Sequence, residues 1–179
     1  LLPATVEKRT KAGVRSPAYP VLDPPMPGYV VTKLEASGPG IPSRNTNYRY
    51  GDYRVNTLTG RSFGFGFQEI EDVERRRWTT IRYLQTDGLV GNVASSNVEQ
   101  TISGKRVLIS ASNSRYSVSH IDAAQLPDGF RTSFLRARLE ETSSESRDLM
   151  GILISRQNDV FRYDGSGNPV SIRSVFADG

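Results

Sequence analysis

The chain has 179 residues, 36% of them hydrophobic and 23% charged, which is long enough for one domain with a core and too apolar for a wholly disordered segment. Its 23 basic and 19 acidic residues give a net charge of +4, spread along the chain rather than gathered into a nucleic-acid-binding tail. Zero cysteines exclude disulfides, thiolate nucleophiles and cysteine-based zinc sites, and no apolar run approaches the ~18 to 20 residues of a membrane-spanning helix, so no membrane insertion is expected of it.

The chain begins Leu1-Leu2-Pro3 without an initiating methionine or a charged-apolar-small leader, and reads as an excised piece of a longer protein. Pro3, Pro17, Pro20, Pro24, Pro25, Pro27, Pro39 and Pro42 remove backbone donors, so residues 1–46 read as a proline-rich lead-in. One strand is expected within it, Tyr29 to Leu34, ending at the turn signal Ser37-Gly38-Pro39-Gly40. Residues 47–179 read as a meander of hairpins. Strands are expected over Tyr48 to Val55, Ser62 to Asp72 and Trp78 to Gln85, with turns at Asn56 to Gly60 and in the charged stretch after Asp72. After Thr86-Asp87-Gly88, runs from Gly91 to Ile102 and Arg106 to His120 flank Ser103-Gly104-Lys105, where glycine suits a positive φ. Phe130 to Glu140 splits into two faces at period two and is assigned as strand rather than helix. Met150 to Gln157, Asp159 to Tyr163 and Val170 to Phe176 complete an all-β fold with little or no helix.

One stretch stands out. Phe63-Gly64-Phe65-Gly66-Phe67 alternates aromatic and minimal side chains, so a continuous strand would carry Phe63, Phe65 and Phe67 as one stripe. Gly64 and Gly66 would then bare the opposite face to a close neighbour.

The order of motifs carries a resemblance. Tyr48-Arg49-Tyr50-Gly51, then Gly60-Arg61-Ser62-Phe63-Gly64-Phe65, then Tyr83-Leu84-Gln85 and Gly88-Leu89-Val90-Gly91 resemble the middle region of insecticidal toxin-complex B subunits and related Rhs/YD-repeat proteins. Ile102-Ser103-Gly104-Lys105 followed by Tyr116 is similar to that family's Gly-Lys hairpin. Phe161-Arg162-Tyr163-Asp164-Gly165-Ser166-Gly167-Asn168-Pro169 is similar to a YD repeat, with Phe161 in place of the first tyrosine. Ser62, Gly64 and Arg75-Arg76-Arg77 depart from the family pattern. The resemblance implies a segment of a large β-shell that encapsulates a C-terminal toxin, in a protein secreted by bacteria. Its partners would be the rest of that shell, the enclosed toxin and a translocation-channel subunit. No catalysis and no cofactor are implied. The motif residues Tyr48, Tyr50, Gly51, Gly60, Arg61, Phe63, Phe65, Gly66, Phe67, Gly88, Gly91, Tyr163, Asp164, Gly167 and Asn168 would be structural. In the YD copy, Asp164 would cap a turn, Gly167 would supply its left-handed residue, Asn168 would tolerate the tight turn and Tyr163 would give amphipathic bulk. The alternative is a secreted or cell-surface adhesin recognising glycans or a protein through Tyr48, Tyr50, Tyr53 and Tyr83.

Sharper chemical readings are weaker. His120 is the single histidine and stands in an alternating strand with no partner motif for catalysis. Asp164, Ser166 and Asn168 have the oxygen spacing of a calcium loop, but Pro169 and the lack of a following bidentate Glu favour a plain turn. Arg75-Arg76-Arg77-Trp78 suggests phosphate binding and base stacking, yet Glu69, Glu71, Asp72 and Glu74 cancel the local charge, so no nucleic-acid partner is expected. Glu69 and Glu71 share a strand face as glycosidase carboxylates can, and an exposed, solvated face explains them better.

Overall fold

A computed structural model describes residues 19–24, 28–121 and 134–178. These are all-β, with no helix among the described residues. The strands are β1 (Val21–Leu22), β2 (Lys33–Gly38), β3 (Ile41–Gly51), β4 (Arg54–Asn56), β5 (Arg61–Gly64), β6 (Phe67–Asp72), β7 (Arg77–Tyr83), β8 (Val93–Ile102), β9 (Lys105–Ile121), β10 (Phe134–Arg147), β11 (Leu153–Tyr163) and β12 (Pro169–Asp178). They form a nine-stranded sheet in the order β12-β11-β10-β9-β8-β7-β6-β3-β2 and a three-stranded sheet in the order β1-β4-β5. Every pairing is antiparallel. The large sheet is a meander interrupted once, where the chain leaves it after β3, builds β4 and β5, and returns as β6 beside β3.

Turn chemistry explains the hairpins. Ser103 and Gly104 both have positive φ, 49° and 79°, the type I′ geometry whose twist matches that of the strands it joins. Pro39-Gly40 joins β2 to β3, with Gly38 opposite Ile41. Asp148 closes the β10–β11 turn by accepting from the N–H groups of Met150 and Ile152, both at 2.8 Å.

Several boundaries differ from the sequence expectation. Among the described residues the lead-in holds β1, β2 and the first half of β3, and Tyr29 to Thr32 lies outside all of them, Tyr29 forming only an isolated bridge. The strand expected at Tyr48 to Val55 is divided between β3 and β4, because Asp52 takes a φ of 55° and ends the first ladder. Met150 lies in a turn, and the two strands expected from Met150 to Tyr163 are one, β11. Its polar centre Gln157-Asn158-Asp159 stays in register, opposite Ser144-Ser143-Thr142 on one side and Phe176-Val175-Ser174 on the other. β10 continues past Glu140 to Arg147, and residues 130–133 of the expected strand lie outside the described residues.

The main correction concerns the aromatic stripe. Ser62 to Asp72 is not one strand: β5 ends at Gly64, whose φ is 71°, and β6 begins at Phe67 in the other sheet. A left-handed residue reverses the local path, so the period-two argument does not carry across it. Phe63 and Phe67 are buried, at 3% and 4% exposure, in different sheets, while Phe65 lies in the connection and packs on Tyr50 and Tyr53, with ring centroids 5.0 and 5.4 Å away.

Candidate functional site

The motif residues converge on the junction of the two sheets. The Gly66 N–H donates to the carbonyls of Gly51 and Asp52, at 3.0 and 3.1 Å, and the Gly66 carbonyl accepts from the Tyr83 N–H at 2.9 Å. Gln85 closes the same junction from the side: its Nε2 donates to the carbonyls of Asp52, at 2.6 Å, and Gly64, at 2.9 Å. A Cβ at Gly66 would lie 2.8 Å from the Asp52 Cβ and 2.9 Å from Gln85 Oε1, so this position is close-packed. Gly64 meets nothing within 4 Å and is required only by its φ. The two glycines thus have separate reasons, and the expectation of one bare face does not describe them. Gln85 lies in the Tyr-x-Gln motif, but its action as a two-carbonyl clamp has no local sequence signal.

Around this junction, Asn56 caps the β4–β5 turn, its Oδ1 accepting from the Leu58 and Thr59 N–H groups at 3.0 and 3.3 Å. Gly60 completes that turn with a φ of 66°, and Arg61, the first residue of β5, pairs with Asp87 at 3.7 Å. Gly88 and Gly91, at φ of 80° and 81°, shape the β7–β8 connection, and Gly88 faces Val118 and Leu135.

On one face of the large sheet, Glu69 is buried at 3% exposure. It pairs with Arg49 at 3.6 Å and Arg106 at 3.5 Å, and Arg106 also reaches Glu99 at 3.6 Å. This overturns the reading of Glu69 and Glu71 as an exposed, solvated pair. Glu69 is neutralised by arginines on two other strands, and Glu71 accepts from Asn47 Nδ2 at 2.8 Å. The Arg106 guanidinium lies 3.6 Å over the Trp78 ring, so one face of the only tryptophan is already covered. Of the arginine run, Arg75 pairs with Asp72 at 3.8 Å and Arg76 takes a φ of 50° in the turn.

On the other face, Tyr50, Gln68 and Tyr83 form a row. Gln68 Nε2 donates to the Tyr50 hydroxyl at 3.4 Å, and the Tyr83 hydroxyl donates to Gln68 Oε1 at 3.2 Å. They open into a cleft of about 380 Å³ lined also by Ser62, Phe63, Phe65, Val90 and Gly91. Tyr48 stands on β3 opposite Ile70 and is not among the lining residues. His120 is exposed on β9 opposite Leu135 and borders a separate depression of about 440 Å³ with Arg61, Gly88, Val90, Phe134 and Leu135. Among the described residues that line it there is no carboxylate, serine or cysteine.

The YD copy lies at the far end of the large sheet, away from the junction motifs in strand order. The Asp164 carboxylate accepts from the Asn168 N–H at 2.8 Å and from Asn168 Nδ2 at 3.1 Å, bonds that hold its pKa below the ordinary 3.8. Gly167 has a φ of 91°. The Tyr163 hydroxyl donates to the Leu139 carbonyl at 2.7 Å, and Arg136 reaches the Ser166 carbonyl at 2.8 Å, tying the turn to β10. Asp164 therefore serves a turn, and no cluster of metal-ligating side chains occurs among the described residues.

The fold and junction define an all-β, antiparallel sheet segment with a small second sheet spliced into its meander. Among solved structures, the Photorhabdus luminescens Tc holotoxin pore with a mutated TccC3 has a chain that matches with a TM-score of 0.56 at 14% identity, over 74% of this chain and 9% of that one. TcdB2-TccC3 without its hypervariable C-terminal region matches with a TM-score of 0.46 at 12% identity, over 70% of this chain and 10% of that one. No family model and no curated protein sequence matches. The chain spans about a tenth of the length of the solved chains it matches, and what it shares with the first of them is the fold. That fold agrees with the toxin-complex resemblance carried by the sequence motifs.

Proposed function

We propose that this chain is a structural segment of a toxin-complex or Rhs-type protein, building part of the wall of a β-shell that encloses and delivers a C-terminal toxin. The observation that carries the reading is the junction itself. The stretches that resemble the family's motifs, Tyr48 to Gly51, Gly60 to Phe65 and Tyr83-Leu84-Gln85, are brought together by Gln85 and by the neighbouring Gly66 although they lie on separate strands. The fold shared with a Tc toxin chain supports the same reading. A wall segment needs broad sheet and satisfied turns, and the geometry supplies both. In this reading the segment is not itself catalytic, the protein is secreted, and its neighbours are the remaining shell, the enclosed toxin and a translocation-channel subunit. The test is electron cryomicroscopy of the full-length protein that contains this sequence. The expected result is a closed shell with β2–β12 in its wall and density inside. A full-length structure with no enclosed chamber, or with this segment standing apart from one, would overturn the proposal.

A further inference from the structure

The cleft between Tyr50, Phe65 and Tyr83 is not needed to explain a wall, and its chemistry is specific. Among the described residues no charged side chain lines it. Its walls combine aromatic surface, from Tyr50, Phe63, Phe65 and Tyr83, with the Gln68 carboxamide and the Ser62 hydroxyl. Its volume of about 380 Å³ lies at the small end of ligand clefts, which span about 300–1,000 Å³.

The hydrogen-bonding inventory narrows the class. The Tyr50 hydroxyl accepts from Gln68, which leaves its own proton to donate. The Tyr83 hydroxyl donates to Gln68, which leaves its lone pairs to accept. Gln68 Nε2 uses one N–H on Tyr50 and keeps a second. Ser62 is already engaged, with its hydroxyl on the Tyr53 hydroxyl at 3.0 Å and the Gly64 N–H on its oxygen at 3.1 Å, so it stiffens the wall. The row Tyr50-Gln68-Tyr83 therefore offers donor, donor and acceptor side by side, held by mutual bonds, next to aromatic surface.

We propose that this cleft binds a neutral saccharide, one or two pyranose rings in size. Vicinal hydroxyls both donate and accept, which the mixed row matches, and the C–H face of a pyranose packs on aromatic rings. An anionic ligand would find no cation among the described lining residues, and a purely apolar one would bury the Tyr50 proton and the Gln68 N–H unpaired. The inference is independent of the shell proposal, since it depends only on the junction geometry of this segment.

The test is titration of the ¹⁵N-labelled 179-residue chain with maltose, cellobiose and N,N′-diacetylchitobiose, with glucuronate and hexaproline as contrasts. At least one neutral disaccharide is expected to shift the backbone amides of Ser62 to Gln68, Tyr83 and Gly91, saturably, while glucuronate and hexaproline leave them in place. Y83F and Q68L are each expected to weaken that binding by about 3- to 10-fold, the loss of one hydrogen bond, and Tyr48→Phe, outside the cleft, to leave it unchanged. Should Q68L prove misfolded, Y83F alone decides, because it deletes only a hydroxyl. Cleft amides unmoved by all three neutral sugars, moved equally by hexaproline, or moved by a sugar whose affinity Y83F leaves intact would overturn the proposal.

Discussion

The junction around β3 to β7 and the outer strands β10 to β12 belong to one fold but are held by different forces. At the junction, Phe63, Phe67 and Glu69 are buried to within 4% of complete, and close approach at Gly66 leaves no room for a side chain. In the outer strands β12 is exposed along its whole length, with Val170, Ile172, Val175 and Phe176 open to solvent. Order there comes from ladder hydrogen bonds and polar side-chain pairs. Arg115 bridges Glu140 and Glu141 at 3.0 and 2.9 Å, and Glu145 holds Arg147 and Arg156 at 3.0 and 3.3 Å. Burial makes a region sensitive to shape, whereas exposed pairs make it sensitive to charge and contribute little individually.

Substitutions that change only shape separate the two regions most sharply. Phe67→Ala is expected to lower stability by about 3–5 kcal/mol in denaturant melts, since it removes a buried ring. Phe176→Ala, at 69% exposure, is expected to stay within about 0.5 kcal/mol. Equal losses at the two positions would erase the distinction. Next in size, Gly66→Val forces a side chain against Asp52 and Gln85 and is expected to cost about 1–3 kcal/mol or more, seen as a lowered Tm. An unchanged Tm would mean the junction opens freely.

Charge at the junction is the next test. Glu69→Gln keeps the shape and removes the charge facing Arg49 and Arg106, with an expected loss of about 1–3 kcal/mol in denaturant melts. The smallest effect belongs to the outer strands and to pH. Hydrogen bonds from Asn158 and then Arg115 hold the Glu141 pKa below the ordinary 4.5, and the bond from Arg147 does the same for Glu145. Asp159, bonded by Gln157 and Ser174, lies below 3.8. A lowered folded-state pKa gives stability that is present above the unfolded value and is lost as pH falls through the folded one. Against desolvation, backbone N–H bonds, its own and that of Asn45, also hold Glu74 below 4.5 in the turn between β6 and β7. Acidification through and below 4.5 and 3.8 is therefore expected to raise amide exchange in β10 to β12 and in that turn before the strands β6 and β7 themselves. Simultaneous loss of protection in both regions would contradict that order.

The hairpins were legible because their turns carry local chemistry: Ser103-Gly104, Pro39-Gly40 and Asp164 to Asn168 need particular residues whatever surrounds them. The split at Gly64 was not legible, since alternating Phe and Gly satisfies the period of a strand, and the change of sheet there rests on the Gly64 φ and on bonds with the distant Gln85 and Gly51. The short strand β1 also lacked a signal, because its two residues form a strand only by pairing with β4. The burial of Glu69 depends on arginines from β3 and β9, which no window around Glu69 contains. The cleft was visible only as separate tyrosines. Of the tyrosines assigned to an exposed binding face, Tyr50 and Tyr83 line it, and Tyr53 supports it through Phe65 and Ser62.

The central claim is that the Phe63 to Phe67 stretch crosses from one sheet to another at a junction closed by Gly66 and Gln85. Long-range backbone NOEs test it most directly. The account predicts contacts of Val55 with Ser62 and of Gly51 with Phe67, together with a contact between Gly66 and Asp52. An unbroken set of cross-strand contacts from Ser62 to Asp72 along one partner strand would contradict it.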